Sequence, residues 1–108
     1  MLEGKYTLQL FEEAIMKISI ELSLYPLAEQ AYKSEIWAFI KRLRQVEGLN
    51  VVTNGMSTQV FGDYDLAVAN VMREIKHVHS TTGAAVFVCK FINGDRSQVE
   101  DENERLTC

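Results

Sequence analysis

A strict alternation of apolar and polar side chains in residues 18–25 constrains the fold of this chain more than any other feature. Four aliphatic residues alternate with two hydroxyls, a carboxylate and a phenol, in the order Ile18, Ser19, Ile20, Glu21, Leu22, Ser23, Leu24, Tyr25. Successive side chains of a β-strand point to opposite faces, so the pattern predicts a half-buried strand. One face of this strand must pack on a core, and the other carries groups that can bind a ligand.

The remaining segments predict the partners of this strand. We expect strands over 16–25, 49–54, 56–62 and 83–92, with helices over 26–48 and 63–79. The dipeptide Asn54-Gly55 predicts the hairpin turn between the second and third strands. This order is that of a split βαβ, or ferredoxin-like, α+β sandwich. Right-handed crossovers place both helices on one face of an antiparallel sheet, with the first and third strands at its centre.

Helical periodicity indicates which residues the two helices bury. The predicted core-facing residues are Ile36, Phe39, Ile40, Leu43 and Val46 of the first helix, and Val68, Val71, Met72, Ile75 and Val78 of the second. The fourth strand is apolar on both faces, interrupted only by Lys90. A strand with water on one side alternates more cleanly. We therefore expect a second copy of the chain to cover the open sheet face, in a homodimer or homotetramer.

The 108 residues are enough for one domain, and the net charge of −4 argues against a nucleic-acid partner. We divide the chain into an N-terminal extension (1–15), a ligand-binding domain (16–93) and a charged mobile tail (94–108). No apolar run is long enough to insert in a membrane, and the N-terminus does not resemble a signal peptide. The two cysteines, Cys89 and Cys108, lie in an apolar run and a charged tail, so a disulfide is not expected. These features favour the cytoplasm.

Two short motifs resemble the YkoF-like family of thiamine- and hydroxymethylpyrimidine-binding proteins. "SLYPL" at 23–27 resembles the family's signature at the end of the first strand. "TNGMSTQVFGDYD" at 53–65 is similar to its hairpin, including the Ser-Thr pair and the Gly and Asp before the second helix, and "AAVFVCKF" at 84–91 fits more loosely. The resemblance covers about residues 16–93. It implies a ferredoxin-like domain that binds thiamine or its pyrimidine portion as a ligand and does not transform it.

The resemblance also implies site residues. Ser23, Tyr25, Ser57 and Thr58 match motif positions, and chemistry alone adds Glu21 and Asn54. Hydroxyl and amide groups suit the edge of an aminopyrimidine, an aromatic ring suits its face, and a carboxylate suits the thiazolium cation. Either Ser57 and Gln59, or Thr58 and its neighbours, must share a sheet face with the hydroxyls of the first strand. Asn54 could equally serve only the turn, and the polar positions could simply face water.

Other classes of function have less support in the sequence. His77 and His79 lie two residues apart and so on different sides of the second helix, which favours a structural role over metal binding. No nucleophile elbow, Walker loop or dinucleotide-binding motif is present, so we expect no enzyme activity and no cofactor. The alternative to ligand binding is a sensing or protein-assembly module of the same topology.

Overall fold

Six elements follow one another in the predicted order in a computed structural model that describes residues 16–27 and 32–98. They are β1 (Lys17–Pro26), α1 (Tyr32–Arg44), β2 (Asn50–Thr53), β3 (Thr58–Asp63), α2 (Tyr64–Thr81) and β4 (Ala85–Asn93). The extension at 1–15, residues 28–31 of the first predicted helix, and residues 99–108 of the predicted tail lie outside the described part of the chain. No helix of the described residues is long and apolar enough to cross a membrane.

The four strands form one antiparallel sheet in the order β2-β3-β1-β4. β1 is central, and its residue Ile20 lies opposite Val60 of β3 and Phe91 of β4. The prediction of a ferredoxin-like α+β fold with β1 and β3 at its centre is confirmed. β2 and β4 are the two edges of the sheet.

The apolar face of β1 packs under the two helices. Ile18, Ile20 and Leu22 are only 1–2% exposed. The helices contribute the other core residues: Phe39, Ile40 and Leu43 from α1, and Ala67, Val71, Ile75 and Val78 from α2. Between the helices, the guanidinium Nε of Arg42 donates a hydrogen bond to a carboxylate oxygen of Glu74. The alternation in the sequence therefore assigned the correct side of β1 to the core.

Two details of the helices differ from prediction. Met72 is 51% exposed and does not face the core, because the buried stripe of α2 runs through Val71, Ile75 and Val78 and leaves the next position turned outward. α1 ends at Arg44, four residues before Gly48, because the chain then continues in short turns in which the amides of Val46 and Leu49 bond to carbonyls three residues back. Gly48 itself has a φ of +94°, a left-handed conformation that glycine adopts readily.

Gly62 shows why the motif before α2 contains a glycine. A Cβ atom at this position would lie 2.7 Å from Cδ2 of Leu49 and 2.9 Å from the carbonyl oxygen of Gly48. Both distances are shorter than carbon atoms tolerate, so only glycine lets the loop after α1 lie directly against β3.

Candidate functional site

The strand register determines which predicted polar residues share a face of the sheet. Residues directly opposite one another in an antiparallel pair point to the same side. Gln59 lies opposite Glu21 and therefore faces away from the helices, on what we call the open face. Thr58 lies opposite Leu22 on the helix side, is 5% exposed, and its Oγ1 is 3.0 Å from Oγ1 of Thr53.

Ser57 joins the open face, unlike its neighbour Thr58. Its hydroxyl donates a hydrogen bond of 2.9 Å to Oε2 of Glu21. The Ser-Thr pair that the resemblance singled out is thus split between the two sides of the sheet, since neighbouring residues of an extended chain point in opposite directions. Ser57 and Gln59, and not Thr58, therefore share a face with the polar residues of β1.

Glu21 is held as a carboxylate on the open face. Besides the bond from Ser57, its Oε1 lies 3.3 Å from Nζ of Lys90, which is opposite it on β4. The hydrogen bond from Ser57, and then the bond and charge of Lys90, lower the pKa of Glu21 below its ordinary value. Glu21 is therefore ionised near neutral pH, and its charge is matched by a neighbouring ammonium group.

A cavity of about 250 Å³ lies where the end of β1 meets the hairpin loop 54–57 and helix α1. We call it the rim pocket. Five of the six predicted site residues line it: Ser23, Tyr25, Asn54, Ser57 and Thr58. Its apolar wall comes from the core side of β1 and from α1, namely Leu22, Leu24, Ile36, Phe39 and Ile40. Among the described residues that line it, none has a charged side chain.

Asn54 has the turn role that its glycine neighbour indicated. Its Oδ1 accepts hydrogen bonds from the backbone N–H groups of Met56, at 2.8 Å, and Ser57, at 3.2 Å. Its backbone N–H donates to the carbonyl of Ser57, at 3.1 Å, and closes the hairpin. Since the side-chain oxygen holds the loop, the amide nitrogen is the part of Asn54 that can serve a ligand in the rim pocket.

Glu21, the sixth predicted residue, does not line the rim pocket. It lies in an adjoining depression of about 300 Å³ on the open face, which we call the charged groove. The groove is lined by Glu21, Ser23, Met56, Ser57, Val88 and Lys90. Ser23, Met56 and Ser57 line both cavities, so the two meet at the rim of the sheet.

Met56, Thr53 and Lys90 are among the lining residues that were not predicted as site residues. Met56, at the tip of the hairpin loop, is 87% exposed and lines both cavities, and Thr53 lines the rim pocket. Lys90 is opposite Glu21 in the sheet register. The sequence contained a signal for Lys90, because it is the charged residue that interrupts an apolar strand, but its partner depends on a register that the sequence alone did not specify.

Ser19 has a structural role although it belongs to the polar side of β1. It is 5% exposed, its hydroxyl donates to the carbonyl of Gly94 at 2.7 Å, and it accepts from the backbone N–H of Arg96 at 2.8 Å. These bonds fasten the chain after β4 to one end of the open face. Of the four alternating polar residues, Ser19 is therefore structural, Glu21 lines the charged groove, Tyr25 lines the rim pocket, and Ser23 lines both cavities.

Apolar side chains flank the charged groove on β4. Val86, Val88 and Ile92 lie opposite Tyr25, Ser23 and Ser19 of β1, so they share the open face, and each is 45–53% exposed. Helix-side residues of the same strand, such as Phe87 and Cys89, pack against the core instead. β4 thus presents apolar side chains on both faces, as its sequence indicated.

His79 and Cys89 belong to the structure and not to the candidate site. Nε2 of His79 lies 3.1 Å from the carbonyl oxygen of Ala85, and its ring meets Phe87 edge-on. Burial raises the pKa of the Cys89 thiol and keeps it protonated. His79 thus links the end of α2 to β4, and Cys89 packs against the core.

Comparison with solved structures supports the fold. The chain is similar to a Streptococcus pneumoniae protein (20% identity, TM-score 0.68, covering 86% of this chain and 100% of that one). It is also similar to a hypothetical protein from Methanocaldococcus jannascii (21% identity, TM-score 0.63, covering 84% and 93%). A third similar structure is a candidate thiamine biosynthesis/salvage protein from Thermotoga maritima (13% identity, TM-score 0.63, covering 84% and 97%).

These identities are low, so the likeness concerns the arrangement of strands and helices. No protein-family model matches the chain, and no curated protein matches it. A domain of unknown function from Bacillus cereus has the same fold (17% identity, TM-score 0.60, covering 86% and 90%). The chain spans nearly the full length of each of these structures.

Proposed function

We propose that this protein binds thiamine or its hydroxymethylpyrimidine moiety reversibly and without chemical change, with the pyrimidine in the rim pocket. One observation carries the proposal. The four residues that match the family motif line a single cavity, although they come from two segments more than 30 residues apart: Ser23 and Tyr25 from the end of β1, and Ser57 and Thr58 from the hairpin loop and the start of β3.

The chemistry of the rim pocket suits a small uncharged heteroaromatic ring. An aminopyrimidine needs hydrogen-bonding partners around its edge and apolar surface against its faces. Ser23 and the amide nitrogen of Asn54 supply the hydrogen-bonding partners. The apolar surface comes from Leu24, Ile36 and the ring of Tyr25. Burying a charged group here would be costly, because the pocket has no side chain of opposite charge.

The similarity to the Thermotoga maritima protein gives secondary support, since the name of that protein concerns thiamine. At 13% identity it favours a ligand class to test first and does not assign a ligand. The expected biological role is sequestration or salvage of the compound in the cytoplasm.

A second copy of the chain on the open face completes the proposal. Val86, Val88 and Ile92 form an apolar strip beside a matched pair of charges, a composition that suits burial against an identical surface. The alternative function, a sensing or protein-assembly module, would use this strip and would not need the rim pocket.

Calorimetric titration with thiamine and with hydroxymethylpyrimidine tests the proposal. We expect saturable binding of about one ligand per chain. Tyr25→Ala should weaken it about tenfold, because one base–aromatic contact contributes ~1–3 kcal/mol. Tyr64→Ala is the matched control, since Tyr64 is also partly exposed but lies at the start of α2 and does not line the pocket.

The result that would overturn the proposal is an absence of heat with both compounds at millimolar concentration while the protein remains folded by circular dichroism. Equal loss of affinity in Tyr25→Ala and Tyr64→Ala would contradict the location of the site. A folded, self-associated protein that binds neither compound would support the assembly module.

A further inference from the structure

The rim pocket is small, and the space next to it is charged. Its volume of about 250 Å³ lies below the ~300–1,000 Å³ of pockets that hold drug-sized ligands. A ligand with its pyrimidine in this pocket can extend into the charged groove, because the groove shares Ser23, Met56 and Ser57 with the pocket.

The groove contains one charge of each sign. The Glu21 carboxylate and the Lys90 ammonium both line it and lie 3.3 Å apart. Lys90 is the more accessible partner, with a side chain 80% exposed against 41% for Glu21. Oε2 of Glu21 is occupied by Ser57, so Lys90 competes with any bound cation for the remaining oxygen, Oε1.

We propose that the Glu21–Lys90 pair keeps this site from selecting between the charged and uncharged forms of its ligand. Lys90 neutralises Glu21, so the groove as a whole favours neither a cation nor an anion, and it adds little to the affinity of the neutral pocket. The site therefore takes the uncharged pyrimidine and the cationic thiamine with affinities of the same order. This inference rests on the proposed function and adds two specificity-determining residues to it, of which Lys90 is new.

Removing either charge should make the groove selective. With Lys90→Gln the carboxylate is left without its ammonium partner, and thiamine should gain about two- to fivefold in affinity over hydroxymethylpyrimidine, the range of exposed ion pairs. With Glu21→Gln the ammonium of Lys90 remains, and the ratio of the affinity for thiamine to the affinity for hydroxymethylpyrimidine should fall by a similar factor. Thiamine monophosphate, which adds negative charge to the far end of the ligand, should gain relative to thiamine in Glu21→Gln and lose in Lys90→Gln.

The experiment is a calorimetric titration of the full chain and its variants with three compounds: hydroxymethylpyrimidine, thiamine and thiamine monophosphate. The uncharged compound is an internal reference, since any general damage to the pocket lowers its affinity too and cancels in the ratio. Lys41→Gln and Glu47→Gln are matched controls that make the same changes of net charge at exposed positions outside both cavities. Their ratios should equal that of the unmodified protein.

The two proposals fail in different ways. If the unmodified protein binds neither thiamine nor hydroxymethylpyrimidine, the proposed function is wrong, and the inference falls with it. If both bind but the ratio stays constant in Lys90→Gln and Glu21→Gln, or shifts equally in the controls, only the inference is overturned. The inference would also be overturned if the unmodified protein bound thiamine far more than tenfold more tightly than hydroxymethylpyrimidine, because Lys90 would then not be neutralising the groove.

Discussion

The two faces of the sheet are built from the same strands but differ in how far their side chains are buried. On the helix side, Ile18 and Ile20 are 1% exposed, whereas Val88 on the open face is 53% exposed. The helix side has a core of closely packed aliphatic residues. The open face combines exposed valines with a charge pair, a composition that contributes little to the folding of one chain. The difference teaches that the stability of one chain comes from the helix side, which leaves the open face and the rim for the recognition of a ligand or of another copy that we propose.

The largest expected effect comes from a substitution in the core on the helix side of the sheet. Ile20→Ala should lower the free energy of unfolding by about 2–5 kcal/mol, because it leaves a cavity in a core that cannot fully collapse. Val86→Ala, on the same sheet but on the open face, should change it by no more than about 0.5 kcal/mol. Denaturant unfolding of the dilute, monomeric chain measures both. Similar losses in the two variants would contradict the contrast between the faces.

A smaller effect is expected on self-association, which we propose to use the open face. Val88→Lys should raise the dissociation constant of the self-associated protein by about tenfold, or ~1.4 kcal/mol, since an identical surface would have to bury a new charge. Sedimentation equilibrium measures this constant. Trp37→Lys is the control, because Trp37 is similarly exposed but lies on α1. A chain that is already monomeric at high concentration would remove the second copy from the proposal.

The smallest effect concerns the pH dependence of stability. The pKa of Glu21 is lowered in the folded chain by the hydrogen bond from Ser57 and by Lys90, so as the pH falls below its ordinary 4.5 the unfolded chain binds the proton first. The contribution of Glu21 to stability is therefore complete above that value and is lost as the pH falls through the lower, folded pKa. Because the side chain is partly exposed and screened by water, we expect a small change.

Comparing the unfolding midpoints of the unmodified protein and Glu21→Gln from neutral pH to about pH 3 isolates this contribution. The unmodified protein should lose its advantage over the variant at the acid end. A difference that stays constant over the whole range would show that the Ser57 and Lys90 contacts do not act on the ionised form of Glu21.

Much of the fold could be predicted from local patterns. The alternation in β1 identified its buried side, the Asn54-Gly55 dipeptide identified the hairpin, and the order of elements predicted the topology. Met72 was misassigned because it lies next to the buried stripe of α2, and helical periodicity draws no sharp boundary between buried and exposed sides. The end of α1 was misplaced because Gly48 terminates the connection after the helix and not the helix itself.

The candidate site was predicted less completely. Ser23, Tyr25, Asn54, Ser57 and Thr58 were placed near one another by a motif and by chain order, and they do line one cavity. Glu21 was expected beside them, but it lies in the adjoining groove with Lys90. Ser19 was predicted to lie on the face whose polar groups can bind a ligand, but its hydroxyl is bonded to the segment after β4.

The sequence by itself determined which side chains of each strand share a face, because alternation is a local property of extended backbone. The order of the elements also determined that both helices cover the same side of the sheet, so that the core lies on that side. Only the tertiary structure decided that Ser57, and not Thr58, shares a face with Glu21, that Lys90 meets Glu21, and that Ser19 is bonded to Gly94. These pairings depend on strand register and on where the chain passes after its last strand, and both result from the packing of residues far apart in sequence.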